Sequence, residues 1–393
     1  MIIGIPKEIL KGEKRVAATP QTVKKMVQDG HKVYVEKNAG VDSFYLDNEY
    51  VEAGAAILDD VSELFEKAEV VLKVKEPQLN SKLGKHEIDM MRKNAILITF
   101  LHPANHANHE MVLMLKDKGI TSFTLDGIPR ISRAQAMDAL SSMSTCAGYK
   151  SVMIAANNLP KFMPMIGSAI GMIRPSNIFV VGCGVAGLRA IATAKGLGAQ
   201  VYACDIRPDA VEQAKSLGAR IVELDIPREV ALSKDGKHVN SLPKEYLIKE
   251  REQIKDAVKN ADIIILSALI FGKEAQILVT EEMVKTMKPG SYIVDISIDQ
   301  GGNCELTKPA EVIEIDGVKI DGTKNLPGMI PASSTYMFSE NVYNFFKYLV
   351  KDDKLNLDYS DEIISSTIVT HDNKILHEGT KEAMRGWLHY KLF

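Results

Sequence analysis

The sequence predicts an α/β protein with two domains, each built on a parallel sheet that carries helices on both faces. The chain has 393 residues, which is enough for two domains with separate cores. Short apolar segments with the length of strands alternate with helical segments, a pattern typical of parallel sheets with crossover helices. A hydrophobic fraction of 46% and a charged fraction of 25% are those of a soluble globular protein.

The first third of the chain alternates strands with helices. Strands are predicted at residues 1–5, 31–36, 70–75, 95–100 and 121–125. Thr19 and Pro20 mark the start of the first helix, as N-cap and first helical residue. Helices are predicted at residues 19–29, 61–67 and 109–118. A longer helix at 133–158 has Ser132 as its candidate N-cap.

The middle of the chain contains a complete β-α-β unit. Its parts are a strand at 177–181, a turn at 182–187, a helix at 188–197 and a strand at 200–205. Further strands are predicted at 221–224, 263–266 and 291–296. Residues 225–252 are polar without clear periodicity, which predicts a long surface excursion. A helix at 339–350 is expected to return the chain to the first domain. The predicted domains are therefore 1–140 plus 333–393, and 141–332.

Composition and charge exclude several classes of function. The formal net charge of -3 gives no overall attraction to nucleic acid or to anionic membranes. The sequence shows neither a run of about 18 apolar residues nor a signal-peptide pattern. Four scattered cysteines argue for a reducing compartment, so the expected location is the cytoplasm. His102, His106 and His109 share the spacing of a helical metal site, but Pro103 indicates a loop and no metal is expected.

A glycine-rich turn follows the apolar strand at 177–181 and opens an alanine-rich helix. Its sequence, GCGVAG at 182–187, matches the G-x-G-x-x-G pattern of dinucleotide-binding units. Gly182 permits the tight turn, Gly184 lets the backbone approach a pyrophosphate, and Gly187 lets helix and strand pack closely. The helix N-terminus adds N–H donors and a positive dipole. The fold class is therefore two Rossmann-like domains, the first discontinuous and the second binding NAD(H). The alternative is a turn without a ligand.

Asp205 ends the next strand, close to the expected distance of about 20 residues from the turn. Its carboxylate can accept hydrogen bonds from ribose hydroxyls and would repel a 2′-phosphate, which favours NAD over NADP. Arg207 weakens this preference because it could pair with a phosphate. The predicted cofactor-binding residues are Gly182, Gly184, Val185, Ala186, Gly187, Asp205, Ile206, Arg207, Ala268 and Leu269.

The sequence resembles the alanine dehydrogenase/pyridine nucleotide transhydrogenase family over nearly its whole length. GIPKE and KRVAATP look like the shared start of that family. Other segments resemble the NAD-binding α component of proton-translocating transhydrogenases: PRISRAQAMDALSSMSTCAGYKSV, SALIFGK, VTEEMVKTMKPGS, GGNCELTKP and STIVTHDNKILHEG. The resemblance implies hydride transfer through NAD(H), NADP(H)-binding and membrane subunits as partners, and a homo-oligomer.

The same resemblance implies that four residues form the loop that orients the nicotinamide: Arg130, Gln135, Asp138 and Ser141. A guanidinium, an amide and a carboxylate are suited to holding a carboxamide. From the residues alone, an Arg130–Asp138 ion pair at a helix start is the alternative. The segment KDGKHVNSLPKEY, residues 234–246, lies where transhydrogenases carry a mobile loop, but it lacks their Gly-Tyr-Ala motif. The absence of a membrane segment fits a system with separate membrane subunits.

A second set of residues resembles the substrate pocket of the alanine dehydrogenases in this family. Arg15 and Lys75 can hold the carboxylate and carbonyl of a 2-oxo acid. Histidine is the residue type whose unperturbed side chain titrates near neutrality, so His102 suits acid–base catalysis, and Asp299 could hold a water or stabilise an imine. Each residue alone also has an ordinary interpretation, such as an Arg15–Glu13 pair, a solvated Lys75 or an Asp299 turn cap.

Two functions are therefore predicted, with the first preferred. The first is the NAD(H) component of a transhydrogenase that passes hydride to or from NADP(H) on a partner. The second is a stand-alone NAD-dependent alanine dehydrogenase or related amino-acid dehydrogenase acting on pyruvate or a similar 2-oxo acid. A regulator in which the nucleotide only fixes shape ranks last, because the sequence offers no basic patch or partner helix.

Overall fold

The structure, a computed structural model, describes residues 1–233, 239–270, 274–351 and 354–391. The chain divides into two units. The first consists of Met1–Met143 and Gly328–Phe393, and the second of Ser144–Pro327. The limits predicted from the sequence, residues 140 and 333, differ from these by a few residues. Among the described residues, no helix is both long and apolar enough to cross a membrane.

An eight-stranded sheet forms the core of the first unit. Across the sheet the strands are Lys374–Ile375, Ile368–His371, Thr121–Thr124, Ile96–Thr99, Val70–Leu72, Ile2–Ile5, Lys32–Glu36 and Ala56–Leu58. The last six are parallel, and the predicted α/β class is confirmed. Ile368–His371 is antiparallel to both of its neighbours, Thr121–Thr124 and Lys374–Ile375, so the prediction of a purely parallel sheet is wrong at this edge. Asp372 and Asn373 join Ile368–His371 to Lys374–Ile375 with φ angles of 46° and 58°, as in a type I′ hairpin turn.

The helices of the first unit bury their apolar faces against this sheet. Leu64 and Phe65, for example, lie in one buried cluster with Val71 and Leu97 of the strands. The helices are Pro20–Gln28, Asp47–Glu52, Val61–Lys67, Glu87–Met90, His109–Asp117, Pro331–Leu349, Glu362–Thr367 and Glu378–Lys391. Two short strand pairs accompany them, Leu79–Asn80 with Lys85–His86 and Val350–Lys351 with Lys354–Leu355. The predicted N-cap at Thr19 is confirmed, because its Oγ1 accepts the Thr22 N–H at 3.3 Å.

The long helix predicted at 133–158 is wrong at its start. Residues Ser132–Met137 form a 3₁₀ helix, and the α-helix spans Ala139–Asn158. Asp138 lies between them with φ and ψ of -74° and 81°, outside the helical region. Its carboxylate accepts hydrogen bonds from the N–H and the hydroxyl of Ser141, at 2.8 and 2.5 Å. Asp138, not Ser132, therefore marks the helix start, because its side chain satisfies an N–H of the first turn.

A seven-stranded sheet forms the core of the second unit. Across the sheet the strands are Arg220–Ile221, Gln200–Cys204, Asn177–Val181, Ile263–Leu266, Tyr292–Asp295, Val318–Asp321 and Val312–Ile315. All pairs are parallel except the last. The first five strands follow the 3-2-1-4-5 order of dinucleotide-binding sheets, in which ligands bind where the order reverses. That point lies between Asn177–Val181 and Ile263–Leu266, at their carboxyl ends.

The remaining elements of the second unit surround this sheet. Its helices are Val185–Gly196, Pro208–Ser216, Arg228–Ala231, Lys244–Asn260 and Glu281–Val284, and Ile166–Ser168 pairs with Gly171–Ile173 as a hairpin. The prediction of an irregular excursion at 225–252 is wrong at the short helix Arg228–Ala231 and from residue 244 onward. Glu250, Ile254 and Val258 form the buried face of the helix there. The pattern was missed because the first of these three buried residues is charged. Residues 234–238 of the proposed loop lie outside the described residues.

Candidate nucleotide and substrate sites

The glycine-rich turn of the second unit links strand Asn177–Val181 to helix Val185–Gly196. Gly182 has a φ of 88°, and a Cβ on it would lie 2.8 Å from the Ala268 nitrogen. A Cβ on Gly187 would lie 1.9 Å from the Gly182 carbonyl oxygen. Both positions require glycine for the protein's own packing, because any side chain would collide with main-chain atoms.

Gly184, the N-cap of this helix, differs from the other two glycines because the space beside it is open. Its φ and ψ of -73° and -170° suit any residue. The nearest atom to an added Cβ is Arg207 Nη2, at 4.0 Å. Val185 and Ala186 follow at the first turn, where helical N–H groups lack partners within the helix. Open space next to unpaired donors suits an anionic group such as a pyrophosphate.

Asp205 follows the strand Gln200–Cys204 and has both carboxylate oxygens engaged. Oδ2 accepts the Cys183 main-chain N–H at 2.7 Å, which ties the turn to the neighbouring strand. Arg207 donates its main-chain N–H to Oδ1 at 2.8 Å, and its Nε and Nη2 lie 3.0 and 2.9 Å from Oδ1 and Oδ2. Ile206, half-buried, separates the two. The Arg207 guanidinium thus pairs with Asp205 in this structure.

Ala268 and Leu269 follow strand Ile263–Leu266 and pass close to the turn. The Ser267 hydroxyl donates to the Gly182 carbonyl at 2.9 Å. Asn303 bonds both main-chain groups of Ala268, each at 3.0 Å, whereas the Leu269 side chain is exposed. Asn303 was not among the predicted site residues. The GGNCELTKP segment that contains it resembles the family, but no local pattern in it indicates which side chain bonds Ala268.

Glu250 places a further carboxyl group near Asp205. It is buried on helix Lys244–Asn260, and no described residue hydrogen-bonds its side chain. Burial and then the charge of Asp205 raise the pKa of Glu250 to about 7, against an opposing effect of Arg251. Sequence analysis missed this group because a glutamate within a charged segment is expected to be solvated.

The predicted nicotinamide-loop residues lie in the first unit: Arg130, Gln135 and Asp138 precede helix Ala139–Asn158, and Ser141 lies in its first turn. Arg130 and Gln135 are exposed, and neither side chain hydrogen-bonds or pairs with another described residue. Asp138 bonds Ser141 and makes no ion pair with Arg130 among the described residues. The alternative interpretation, a structural Arg130–Asp138 pair, is therefore wrong for this structure.

The loop is held by residues that were not predicted. Arg133 Nη1 contacts the Tyr348 hydroxyl at 2.7 Å and Asp361 Oδ2 at 2.8 Å. Asn341, on helix Pro331–Leu349, donates from Nδ2 to the Ala136 carbonyl at 2.9 Å. These contacts join segments more than 200 residues apart, which no local sequence pattern could reveal.

Three of the four residues that resemble a 2-oxo-acid pocket also belong to the first unit. His102 has a φ of 44°, in the left-handed region, and its N–H donates to Asp126 Oδ2 at 2.8 Å. Its ring nitrogens lie 3.3 Å from Asp126 Oδ1 and 3.7 Å from Glu76 Oε2. Burial lowers the pKa of His102, but the two carboxylates outweigh it and the net shift is upward. Glu76 and Asp126 are thus neighbours that sequence analysis missed.

Arg15 and Lys75 differ in how far their charges are already neutralised. Arg15 is buried, and its Nε and Nη2 lie 2.7 and 2.6 Å from the two carboxylate oxygens of Glu13, as the ordinary interpretation predicted. Lys75 is half-buried, and no described acidic side chain pairs with its ammonium group. Asp299 belongs to the second unit, where its Oδ1 lies 3.7 Å from Lys324 Nζ.

A buried group of three charges supports the segment that carries Lys75. Lys73 Nζ lies 3.2 Å from Glu8 Oε2 and 2.9 Å from Glu87 Oε1, and all three residues are buried. Glu8 Oε1 also accepts the Val74 N–H at 2.6 Å. Burial raises the pKa of Glu8, although Lys73 opposes the shift. Such a buried group is rigid because each charge needs its partners.

Replacing Glu250 by Gln is expected to stabilise the protein at alkaline pH only. Because the pKa of Glu250 rises to about 7 on folding, the wild type loses stability as pH increases from about 4.5 through 7. Glu250→Gln cannot ionise, so its free energy of unfolding should exceed that of the wild type by up to about 3 kcal/mol at pH 8. Urea unfolding at pH 5 and pH 8 measures this difference. The exposed Glu245→Gln serves as control, and equal effects of the two substitutions would contradict the assignment.

Both units of the chain are similar to known proteins. Residues 4–147 match the family model described as "Alanine dehydrogenase/PNT, N-terminal domain", and residues 151–378 match "Alanine dehydrogenase/PNT, C-terminal domain". An NAD(P) transhydrogenase alpha subunit of Rhodospirillum rubrum is 40% identical over 379 residues, 96% of this chain and 98% of that protein.

Alanine dehydrogenases are also similar to this chain. That of Methanococcus maripaludis is 36% identical over 351 residues, 87% of this chain and 85% of that protein. The crystal structure of a transhydrogenase from Sinorhizobium meliloti superposes with a TM-score of 0.83 at 38% identity, covering 95% of this chain and 100% of that one. With both of its domains matched, the chain belongs to the alanine dehydrogenase/PNT family.

Proposed function

We propose that this protein is the NAD(H)-binding component of a transhydrogenase, exchanging hydride with NADP(H) held by a partner subunit. The observation that carries the proposal is the open space at Gly184, where glycine serves no packing need of the protein itself. Relatives named as transhydrogenase alpha subunits support it, since their identity to this chain reaches 40%. Bound NAD(H) would supply the hydride; the protein's residues bind and orient it.

The residues of the second unit fit the parts of a dinucleotide. Gly184, Val185 and Ala186 offer main-chain N–H groups to the pyrophosphate. Asp205 accepts hydrogen bonds from the adenosine ribose once the Arg207 guanidinium turns away, while its bond to Cys183 persists. Leu269 provides main-chain groups and an exposed apolar side chain for the nicotinamide end, while Ala268, whose main-chain groups bond Asn303, forms the wall beside it. Arg207 is then free to contact the nucleotide, and the nearby Glu250 and Asp205 disfavour a 2′-phosphate.

In the first unit, we assign the orientation of the nicotinamide to Arg130 and Gln135. Both side chains are exposed, and no described residue pairs with them. Asp138 and Ser141 bond each other and set the start of helix Ala139–Asn158, so their part is to hold the loop's shape. The partners in this proposal are NADP(H)-binding and membrane subunits.

A second candidate function is an NAD-dependent alanine dehydrogenase acting on pyruvate or a similar 2-oxo acid. The observation in its favour is the environment of His102. Two carboxylates raise the pKa of its ring, and the charge of Lys75 lies close enough to oppose that shift. Against it, the Arg15 guanidinium is already bonded to both Glu13 oxygens. A substrate carboxylate would have to share Arg15 with Glu13, which favours the transhydrogenase proposal.

We also propose that the chain forms a homo-oligomer through the hairpin of the second unit. Several large apolar side chains there are exposed, led by Ile170 at 92%, with Met172, Met165 and Phe162 beside it. Exposed apolar patches of this kind are typical of protein interfaces.

Two glycine substitutions separate nucleotide binding from folding. Gly184→Ala places a methyl group in open space, so stability should be unchanged while NADH affinity falls by about tenfold or more, since a methyl group there obstructs the approach of a pyrophosphate. Gly187→Ala collides with the Gly182 carbonyl and should lower the free energy of unfolding by about 1–3 kcal/mol. Calorimetric titration with NADH and urea unfolding measure the two effects. Normal NADH binding by Gly184→Ala would refute the pyrophosphate assignment.

Two substitutions in the first unit distinguish the candidate functions. With a transhydrogenase NADP(H)-binding subunit, NADPH and an acetylpyridine analogue of NAD⁺, Arg130→Ala should slow analogue reduction by about 10²-fold, because an orienting group is lost. His102→Ala should leave that rate unchanged. With NADH, ammonium and pyruvate, the wild type should be inactive.

Brisk pyruvate-dependent oxidation of NADH that His102→Ala abolishes would instead establish the dehydrogenase. A transhydrogenation rate that falls equally in both variants would contradict the division of roles between Arg130 and His102.

Self-association is tested by placing a charge on the hairpin. Ile170→Asp should convert the oligomer to a monomer in light scattering with size-exclusion chromatography, because a carboxylate cannot be buried in an apolar interface. Val312→Asp, at another exposed apolar side chain, is the control and should keep the wild-type mass. An Ile170→Asp protein of unchanged mass would rule the hairpin out.

A further inference from the structure

The segment GGNCELTKP, at residues 301–309, holds a fully buried asparagine whose side chain bonds main chain from other parts of the second unit. Asn303 has no solvent-exposed surface. Its Oδ1 accepts the Ala268 N–H at 3.0 Å and the Ser297 hydroxyl at 2.7 Å. Its Nδ2 donates to the carbonyls of Ala268 at 3.0 Å and Gln276 at 2.9 Å. The amide therefore uses both of its donors and accepts two hydrogen bonds.

The loop around Asn303 is itself fixed to the end of strand Tyr292–Asp295. Asp295 is buried, and its Oδ2 accepts the N–H groups of Asn303 and Cys304 at 2.8 and 3.0 Å. Gly302 has a φ of 87°, and a Cβ on it would lie 2.8 Å from Asp295 Oδ2. Glycine at this position thus lets the loop pass close to the Asp295 carboxylate, which places Asn303 within hydrogen-bond distance of Ala268.

Ala268 in turn forms part of the wall against which the glycine-rich turn packs. A Cβ on Gly182 would lie 2.8 Å from the Ala268 nitrogen and 2.9 Å from its Cα, so the two main-chain segments are in direct contact. The neighbouring Ser267 hydroxyl bonds the Gly182 carbonyl. A displacement of Ala268 would therefore move the turn on which the proposed pyrophosphate site depends.

Asn303 is also connected to the segment that precedes helix Lys244–Asn260. The Gln276 carbonyl accepts Asn303 Nδ2, and the Gln276 side chain pairs with the main chain of Leu242. Leu242 donates its N–H to Gln276 Oε1 at 2.9 Å and accepts from Gln276 Nε2 at 2.9 Å. One chain of hydrogen bonds thus joins Ala268, Asn303, Gln276 and Leu242.

We propose that Asn303 is a positioning residue for nucleotide binding, which acts through the main chain of Ala268. Through Gln276, it also holds the segment at Leu242 in a fixed position relative to the same site. The proposal rests on the proposed NAD(H) binding and deepens it. Asn303 does not touch the nucleotide, because its side chain is buried and fully hydrogen-bonded within the protein. Its effect is to keep the wall beside Gly182 in the binding-competent position.

Calorimetric titration of the full chain with NADH tests the first half of the proposal. Asn303→Ala removes all four hydrogen bonds and should weaken NADH binding by about tenfold or more, since sites tolerate only small displacements. Ser297→Ala removes one donor to Asn303 and provides a milder variant, expected to weaken binding about threefold. Tyr292→Phe is the control, because it removes a buried hydrogen bond to Asp321 in the same unit without touching this network. Its NADH affinity should equal that of the wild type.

Hydrogen exchange without nucleotide provides a readout that does not depend on NADH. The Ala268 amide should exchange faster in Asn303→Ala and in Ser297→Ala than in Tyr292→Phe. Each protein is measured under conditions equally far from its own unfolding midpoint, so that differences in overall stability do not account for the result. In the wild type, NADH should also slow exchange of the Leu242 amide, and Gln276→Ala should abolish that slowing.

The outcomes separate the proposal from the function it rests on. A wild type that fails to bind NADH refutes the proposed function, whereas unchanged Ala268 exchange in both network variants refutes the role of Asn303 on its own. Wild-type NADH affinity in a folded Ser297→Ala or Asn303→Ala protein, or an equal loss of affinity in Tyr292→Phe, would also overturn it. Retained slowing at Leu242 in Gln276→Ala would overturn the extension to that segment.

Discussion

The second unit depends on one steric constraint, the contact between Gly187 and the carbonyl of Gly182. With 1.9 Å between that oxygen and a Cβ added to Gly187, helix Val185–Gly196 can lie so close to strand Asn177–Val181 only because Gly187 has no side chain. The contact directs the helix N-terminus at the point where the strand order reverses. The open space at Gly184, the bond from Cys183 to Asp205 and the wall at Ala268 all take their positions from this turn.

Charge is distributed differently in the two units. In the second, Asp205 is neutralised by Arg207, while burial raises the pKa of Glu250 to about 7. The arrangement keeps in place the carboxylate that we propose binds ribose, without leaving its charge unpaired. In the first, Lys75 has no described acidic partner, whereas the neighbouring Lys73 is enclosed by two glutamates. The buried group of Lys73 and its two glutamates thus supports the segment that carries Lys75, whose ammonium group is not paired with a described acidic side chain.

The two candidate functions draw on different residues of one scaffold. The family contains both transhydrogenase subunits and alanine dehydrogenases, and this chain retains residues that resemble each. The bidentate pair of Arg15 with Glu13 separates them best, because it neutralises the cation that an oxo acid needs. By contrast, the exposed side chains of Arg130 and Gln135 are unpaired among the described residues. The fold is therefore compatible with both reactions, and the hydrogen-bond and ion-pair partners of a few side chains distinguish between them.

Elements with strong local signals were predicted well. The strands at 177–181 and 263–266 and the helix at 61–67 match the structure because apolar runs, caps and spacing are local properties. Errors arose where a side chain competes with the main chain or where a buried residue is charged. Asp138 delayed the start of the long helix by bonding Ser141, and Glu250 concealed the apolar face of helix Lys244–Asn260. The antiparallel edge of the first sheet was missed because strand direction depends on pairing with a distant segment.

Three features can be recognised from the amino-acid sequence without a structure: the α/β class, the glycine-rich turn with its acidic residue downstream, and the resemblance that points to a family. These features follow from periodicity, from the conformational freedom of glycine and from fixed spacing along the chain, all of which act over short distances. The partner that each polar group takes depends instead on how the parts of the chain come together in the fold. Arg207 bonds Asp205, Arg15 bonds Glu13, and Asn303 bonds Ala268, which lies 35 residues away along the chain. Burial makes these pairings necessary, because a polar group removed from water must form its hydrogen bonds within the protein.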